Sequence, residues 1–182
     1  MGHRCDLPAG VIRKRREALG LGHASVAAAA GISLSNYHDL EAVGTEMWTG
    51  IAIVNVLRLC RALRLTPAEL FQGSESSFGV APGRGTFPGN GLRGLYTLVA
   101  EELSRRGESA SRFEDRVGWD IQRFLAATDA GLETWNIDCL ADVCAGCGAD
   151  WLAVLQGEFE SGAWEGYPRG KSGHTPPEKG VG

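Results

Sequence analysis

The sequence predicts an all-α chain: two small helical bundles in tandem, joined by a Gly/Pro-rich linker. Three observations predict it. Apolar residues fall at helical spacing in two separate stretches, as in Tyr37 and Leu40 or Leu95, Leu98, Val99 and Leu103. Between them, QGSESSFGVAPGRGTFPGNGLRG (72–94) has no period and reads as a flexible linker. The second stretch also repeats the layout of the first.

In chain order, residues 1–8 are a polar lead-in whose Asp6 and Pro8 can start the first helix. Val11–Leu19 follows as a basic helix with Ile12 and Leu19 on its apolar side. LGHASVAAAAGISLSNYHDLE (21–41) organises the first bundle as helix, tight turn, helix. An alanine-rich helix from about Ala24 stops at Gly31, where a sharp turn needs backbone angles that a Cβ resists. Ile32 points inward, and Ser33 caps a second helix through its hydroxyl. Val54–Phe71 supplies two more helices, the last capped by Thr66 with Pro67 in its first turn. These features bound the first unit at 9–72 and the linker at 73–93.

The second unit, 94–157, reads as a worn copy. Leu103 stands where Leu19 stands, and Ser109-Ala110-Ser111 can cap a helix through Phe113 and Val117. Gly118-Trp119-Asp120 replaces Gly31-Ile32-Ser33, and Phe124 takes the place of Tyr37. The last two helices align at an offset of 84, with Ile137 on Ile53, Leu140 on Val56, Val143 on Leu59 and Cys144 on Cys60. This alignment makes the connection after the first helix about three residues longer, and the segment after the third about three shorter. Residues 158–182, rich in Gly and Pro, read as a disordered tail in which only Trp164 and Tyr167 can dock.

Arg13, Arg16, Gly20, Ala27, Gly31, Ile32, Ser33, Glu41 and the run from Leu57 to Phe71 stand in the order of a known pattern. In these pieces the segment from about Ala9 to Gln72 resembles the λ-repressor/Cro-like (XRE) helix-turn-helix family. The resemblance implies a five-helix domain and a sequence-specific, repressor-type transcriptional regulator of bacterial or phage origin. Its partners would be double-stranded operator DNA and a second copy of the chain, a homodimer on a palindrome with half-sites about 34 Å apart.

In such a motif the second helix enters the major groove with its N-terminal, outward residues, here Ser33, Leu34, Ser35, Asn36 and His38. Asn36 suits an adenine edge, His38 a guanine N7 and Leu34 a thymine methyl. His23 and Ser25, at a helix N-terminus, suit a phosphate. Arg13, Arg16, Thr45 and Thr49 are further candidates for backbone contacts, while Glu41 is expected to support the fold. In the second unit Gln122 and Arg123, with Arg112 and Arg116 on the preceding helix, form a possible DNA or partner surface. Glu108, Glu114, Asp115 and Asp120 share that surface and oppose phosphate contacts, so self-association or docking of a protein through 94–157 is the expected use. Trp119, Trp135 and Trp151 are either its core or exposed anchors.

Charge separates the two units. Residues 1–73 carry eight Lys/Arg against six Asp/Glu, and residues 92–157 six against eleven, in a chain of net charge −4. Arg outnumbers Lys fifteen to three, a bias expected of a GC-rich prokaryotic or phage genome. There is no run of about eighteen apolar residues and no secretory-type apolar core at the start, which predicts a cytoplasmic protein without a membrane span. Cys139, Cys144 and Cys147 spell C-x4-C-x2-C, a spacing used by metal clusters. A fourth ligand is missing nearby, since His174 lies in the tail and Cys60 in the other unit, and Cys5 has no partner. Buried thiols with no metal or cofactor are therefore expected. No phosphate loop, HExxH or nucleophile–histidine pair appears, so no enzyme is expected. Two alternatives stay open: a protein-binding adaptor or inhibitor built on helix-turn-helix folds, and a metal- or redox-responsive sensor.

Overall fold

Caps and glycine turns set the helix boundaries. The computed structural model describes residues 7–43, 45–72, 85 and 89–167. In the first half these residues form α1 (Leu7–Ala18), α2 (His23–Ala30), α3 (Leu34–Ala42), α4 (Glu46–Thr49), α5 (Ile53–Leu63) and α6 (Pro67–Phe71). In the second half they form α7 (Gly91–Arg106), α8 (Ala110–Val117), α9 (Ile121–Ala126), α10 (Ala130–Thr134), α11 (Ile137–Cys147) and α12 (Trp151–Ser161). The described residues are all-α.

Gly31, at φ 73°, ends α2 in the left-handed region. Ser33 then accepts from the Asn36 amide at 3.0 Å and opens α3. Thr66 and Glu69 close a reciprocal capping box around Pro67 on α6. The side chains of Ser109, Asp120, Asn136 and Asp150 accept from first-turn amides and cap α8, α9, α11 and α12.

Helix starts in the two halves keep fixed offsets. The starts of α4, α5 and α6 recur 84 residues later as those of α10, α11 and α12. The bonds Leu65 N–H to Cys60 O (2.9 Å) and Ala149 N–H to Cys144 O (2.8 Å) share that offset. From the C-terminus of the first helix to the start of the third, the offset is 87. Left-handed Gly20 and Gly107 end α1 and α7, and the bonds from Leu21 N–H to Arg16 O and from Glu108 N–H to Leu103 O correspond. Leu103 therefore stands opposite Arg16, not Leu19. The three residues by which this offset exceeds 84 fall before Gly107, where α7 has 16 residues against the 12 described for α1. They are lost again in α9, at six residues against nine in α3.

The two halves pack against each other. α4 meets α11, α5 meets α10 and α6 meets α12. Exchanging the halves turns the first pair into the second and the third into itself, which is the pairing of an isologous interface. At its centre the ring of Trp151 lies 5.7 Å from that of Trp48, edge to face, and 5.4 Å from that of Phe71. Polar links cross the same seam. Ile53 N–H donates to Trp135 O (2.8 Å), the Asn136 side-chain Nδ2 to Thr49 O (3.3 Å), and Ala68 N–H to the Gln156 side chain (3.2 Å). Trp119, Trp135 and Trp151 are all buried, so the three tryptophans are core.

Two expectations about the ends of the second half are corrected. α7 begins at Gly91, inside the expected linker, whose residues 73–84 and 86–88 lie outside the described residues. The expected tail is ordered to Tyr167: α12 runs to Ser161, and a 3-10 turn follows at Ala163–Gly166. Trp164 is buried and stacks on Phe159, with the Arg61 guanidinium over both rings. Arg58 Nη2 donates to Tyr167 O at 2.7 Å. Local glycine content suggested disorder, whereas one tryptophan with a ready site on α5 holds the segment. Residues 168–182, with His174, lie outside the described residues, as does Cys5. Among the described residues no helix is long and apolar enough to cross a membrane.

Candidate nucleic-acid interface

The surface at the start of α2 and α3 is built on a buried ionic knot. Glu41, on the last turn of α3, accepts from Arg16 Nε (2.6 Å) and Nη2 (3.0 Å) and from the Tyr37 hydroxyl (2.8 Å). Burial alone would raise its pKa. The Arg16 fork and the Tyr37 hydroxyl outweigh that and hold it below the usual carboxylate range. His23 Nε2 lies 3.3 Å from the same carboxylate, and the His23 ring sits 4.7 Å from that of His38. The knot thus fixes α3 on α1 and sets the first turn of α2 beside the outer face of α3.

Tyr37 and Leu40 face the core, which turns Leu34, Ser35, Asn36, His38 and Asp39 outward. Leu34 is 45% exposed. Ser25 is exposed on the first turn of α2, and Ser33 is half-buried at the α3 cap. His23, Ser25, Ser33, Leu34, Ser35, Asn36 and His38 therefore lie together on neighbouring helix starts. Arg13 is exposed and donates to the Glu41 main-chain carbonyl. Thr45 and Thr49 are exposed around α4, where Thr49 O accepts from the second half.

Arg16 is a correction. It is 9% exposed with its guanidinium committed to Glu41, and so is not placed to meet a phosphate. Arg15, which the sequence did not single out, donates to Leu63 O (2.9 Å) and Arg64 O (3.0 Å), closing the end of α5.

The equivalent surface of the second half is occupied by its own side chains. Glu114 accepts from the Ile121 and Gln122 amides and from the Gln122 side chain, each at 2.7 Å. Burial opposes its charge, but these donors hold its pKa below the usual range. Asp120 accepts the next amide, that of Arg123, at 3.0 Å. Gln122 is thus tied to Glu114 rather than offered outward. Arg116 is tied as well, to Glu108 (3.0 Å), to Gly146 O (3.1 Å) and over the Phe113 ring. Arg112 and Arg123 are exposed.

At the 87-residue offset Glu114 stands in the place of Ala27, whose methyl reaches no turn amide. That contrast was available from the sequence once the offset was known. Glu114→Ala is expected to lower stability by about 1–2 kcal/mol, the usual effect of losing a carboxylate that accepts from first-turn amides of a helix. Urea unfolding checks it, and an unchanged midpoint would deny Glu114 a capping role.

The cysteines share one helix. Cys139 and Cys144 are buried on α11, and burial raises the Cys144 thiol pKa well above its ordinary value. Cys147 is half-buried, its Sγ 3.4 Å from Val143 O, and burial pushes its pKa up to about 11. Among the described residues no group of three or more His, Cys, Asp or Glu is arranged to hold a metal ion. No family model matches the chain, and comparisons with curated proteins and with solved structures found no match.

Proposed function

We propose that the chain is a sequence-specific regulator of the repressor type that binds double-stranded DNA through the first of two tandem helix-turn-helix units. One observation carries the reading: α2, the left-handed Gly31 turn and the Ser33-capped α3 present Leu34, Ser35, Asn36 and His38 together on one outward face. In a major groove this face would set Asn36 and His38 against base edges and Leu34 against a methyl group. Arg13 and the start of α2 with Ser25 would meet phosphates, held in register by the Glu41 knot. Occupancy of the site is the mechanism, with bound protein excluding or recruiting polymerase.

A second reading has its own observation. α3 carries Asp39 and no Lys or Arg, and Leu34 and Val43 are each 45% exposed beside it. An apolar, weakly acidic face of this kind also suits a protein partner, as in an adaptor.

Selection of bound duplexes from a random pool, at two salt concentrations, separates the two. The expected result is an enriched motif whose affinity falls steeply with salt, by a log–log slope of about −0.9 per phosphate contacted. Ser35→Ala, Asn36→Ala and His38→Ala should each cost about 1–3 kcal/mol of discrimination where the side chain reads a base. Full retention of affinity in the triple variant would move the reading to the adaptor.

A further inference from the structure

We propose that the chain engages DNA as a single copy, reading one asymmetric half-site, with its second half standing where a partner subunit would stand. The proposal rests on the DNA-binding reading above. It replaces the homodimer and palindrome that the family resemblance leads one to expect.

Two independent features carry it. The first is the seam between the halves. A two-fold dimer needs one self-complementary patch on each copy. Here both copies of the patch lie on one chain and are already joined, α4 on α11, α10 on α5 and α6 on α12. Trp48, Ile53, Phe71 and Trp151 are all buried along it. A second chain would have to separate these aromatic contacts before it could use the same face.

The second feature is the state of α9, the element that corresponds to α3 when the halves are exchanged. It is three residues shorter than α3. The Glu114 carboxylate holds its first two amides and the Gln122 side chain, and Asp120 holds the third amide. A phosphate oxygen approaching there would meet two carboxylates, with Asp115 exposed on the neighbouring helix. The second half therefore completes the two-fold packing and adds no base readout. The recognised DNA is one half-site without an inverted repeat.

The experiment uses the full chain. Sedimentation velocity without DNA is expected to give the single-chain mass, 19.4 kDa, at micromolar concentration, and twice that mass would overturn the proposal. Native mass spectrometry on the duplex enriched from a random pool is expected to show one chain per duplex, with affinity unchanged when flanking sequence is trimmed to a single half-site. Two chains per duplex on an inverted repeat would overturn the proposal while leaving the DNA reading intact. Absence of any salt-sensitive motif would overturn both. Gln122→Ala and Arg123→Ala, both exposed positions, are expected to leave motif and affinity unchanged. Asn36→Ala should weaken binding by about tenfold or more. A comparable loss from the α9 pair would give the second half a reading role and overturn the proposal.

Discussion

Trp151→Ala is expected to remove about 3–5 kcal/mol of stability, the range for truncating a fully buried large aromatic. The two halves are expected to melt together, and earlier, as one unit. Trp151 opens α12 directly after the Asp150 cap and is 1% exposed. Its ring makes edge contacts across the seam with Trp48 of α4 and Phe71 of α6, inside a hydrophobic core cluster that runs through both halves. Truncation leaves a cavity bounded by both halves, which neither can close alone. A domain of ordinary stability has about 5–15 kcal/mol in hand, so the loss is a large fraction of the whole. Urea unfolding followed by far-UV circular dichroism and by near-UV signals checks both parts. Coincident transitions with a lower midpoint are expected. Two separated transitions in the unsubstituted chain, or a loss below about 1 kcal/mol, would contradict the shared core.

The seam was the least legible part of the sequence. Trp151 read as either core or an exposed anchor, because burial inside a bundle and burial between bundles select the same side chains. What the sequence states directly is local: Ser33 before α3, Thr66 with Pro67 at the start of α6, glycine at 31 and 118. Each acts within four residues of itself, and each stands where expected. The 84-residue offset was legible for the same reason, since α5 and α11 repeat the same burial pattern turn for turn.

The misreadings involve partners distant in the chain. Arg16 looked like a phosphate ligand because its acceptor, Glu41, is 25 residues away. The segment around Trp164 read as part of a disordered tail, with Trp164 and Tyr167 as its docking candidates, because the arginines that receive it lie on α5, about a hundred residues earlier. The three-residue slip was assigned to a connection rather than to α7 because an apolar residue at 103 fits either register. Only the left-handed glycines at 20 and 107 settle which one holds.

Glu41→Ala is expected to cost about 3–5 kcal/mol, because it strands the buried Arg16 guanidinium rather than merely deleting a contact. The second half supplies the control. Counted from the nearest cap, Leu103, Phe124 and Leu125 occupy the places of Arg16, Tyr37 and Glu41, and all three pack on the core. The triple substitution Arg16→Leu, Tyr37→Phe, Glu41→Leu is therefore expected to recover most of the loss, to within about 1 kcal/mol of the parent, as buried ion pairs often exchange neutrally for apolar residues. Non-additivity of this size is the mark of groups acting as a unit. The pH dependence has a matching sign. The pKa of Glu41 is lower in the folded chain, so its contribution is complete above the ordinary carboxylate value and is lost as pH falls through the folded one. Glu158, which burial holds above the usual range, works the opposite way and favours folding as pH falls. Acid titration of unfolding should therefore show the triple variant losing less stability than the parent between neutral pH and pH values below both Glu41 pKa values. A triple variant as unstable as Glu41→Ala would mean that the knot is irreplaceable in its own half. Its retention would then be a matter of stability alone, rather than of holding His23 and α3 in register for the surface they share.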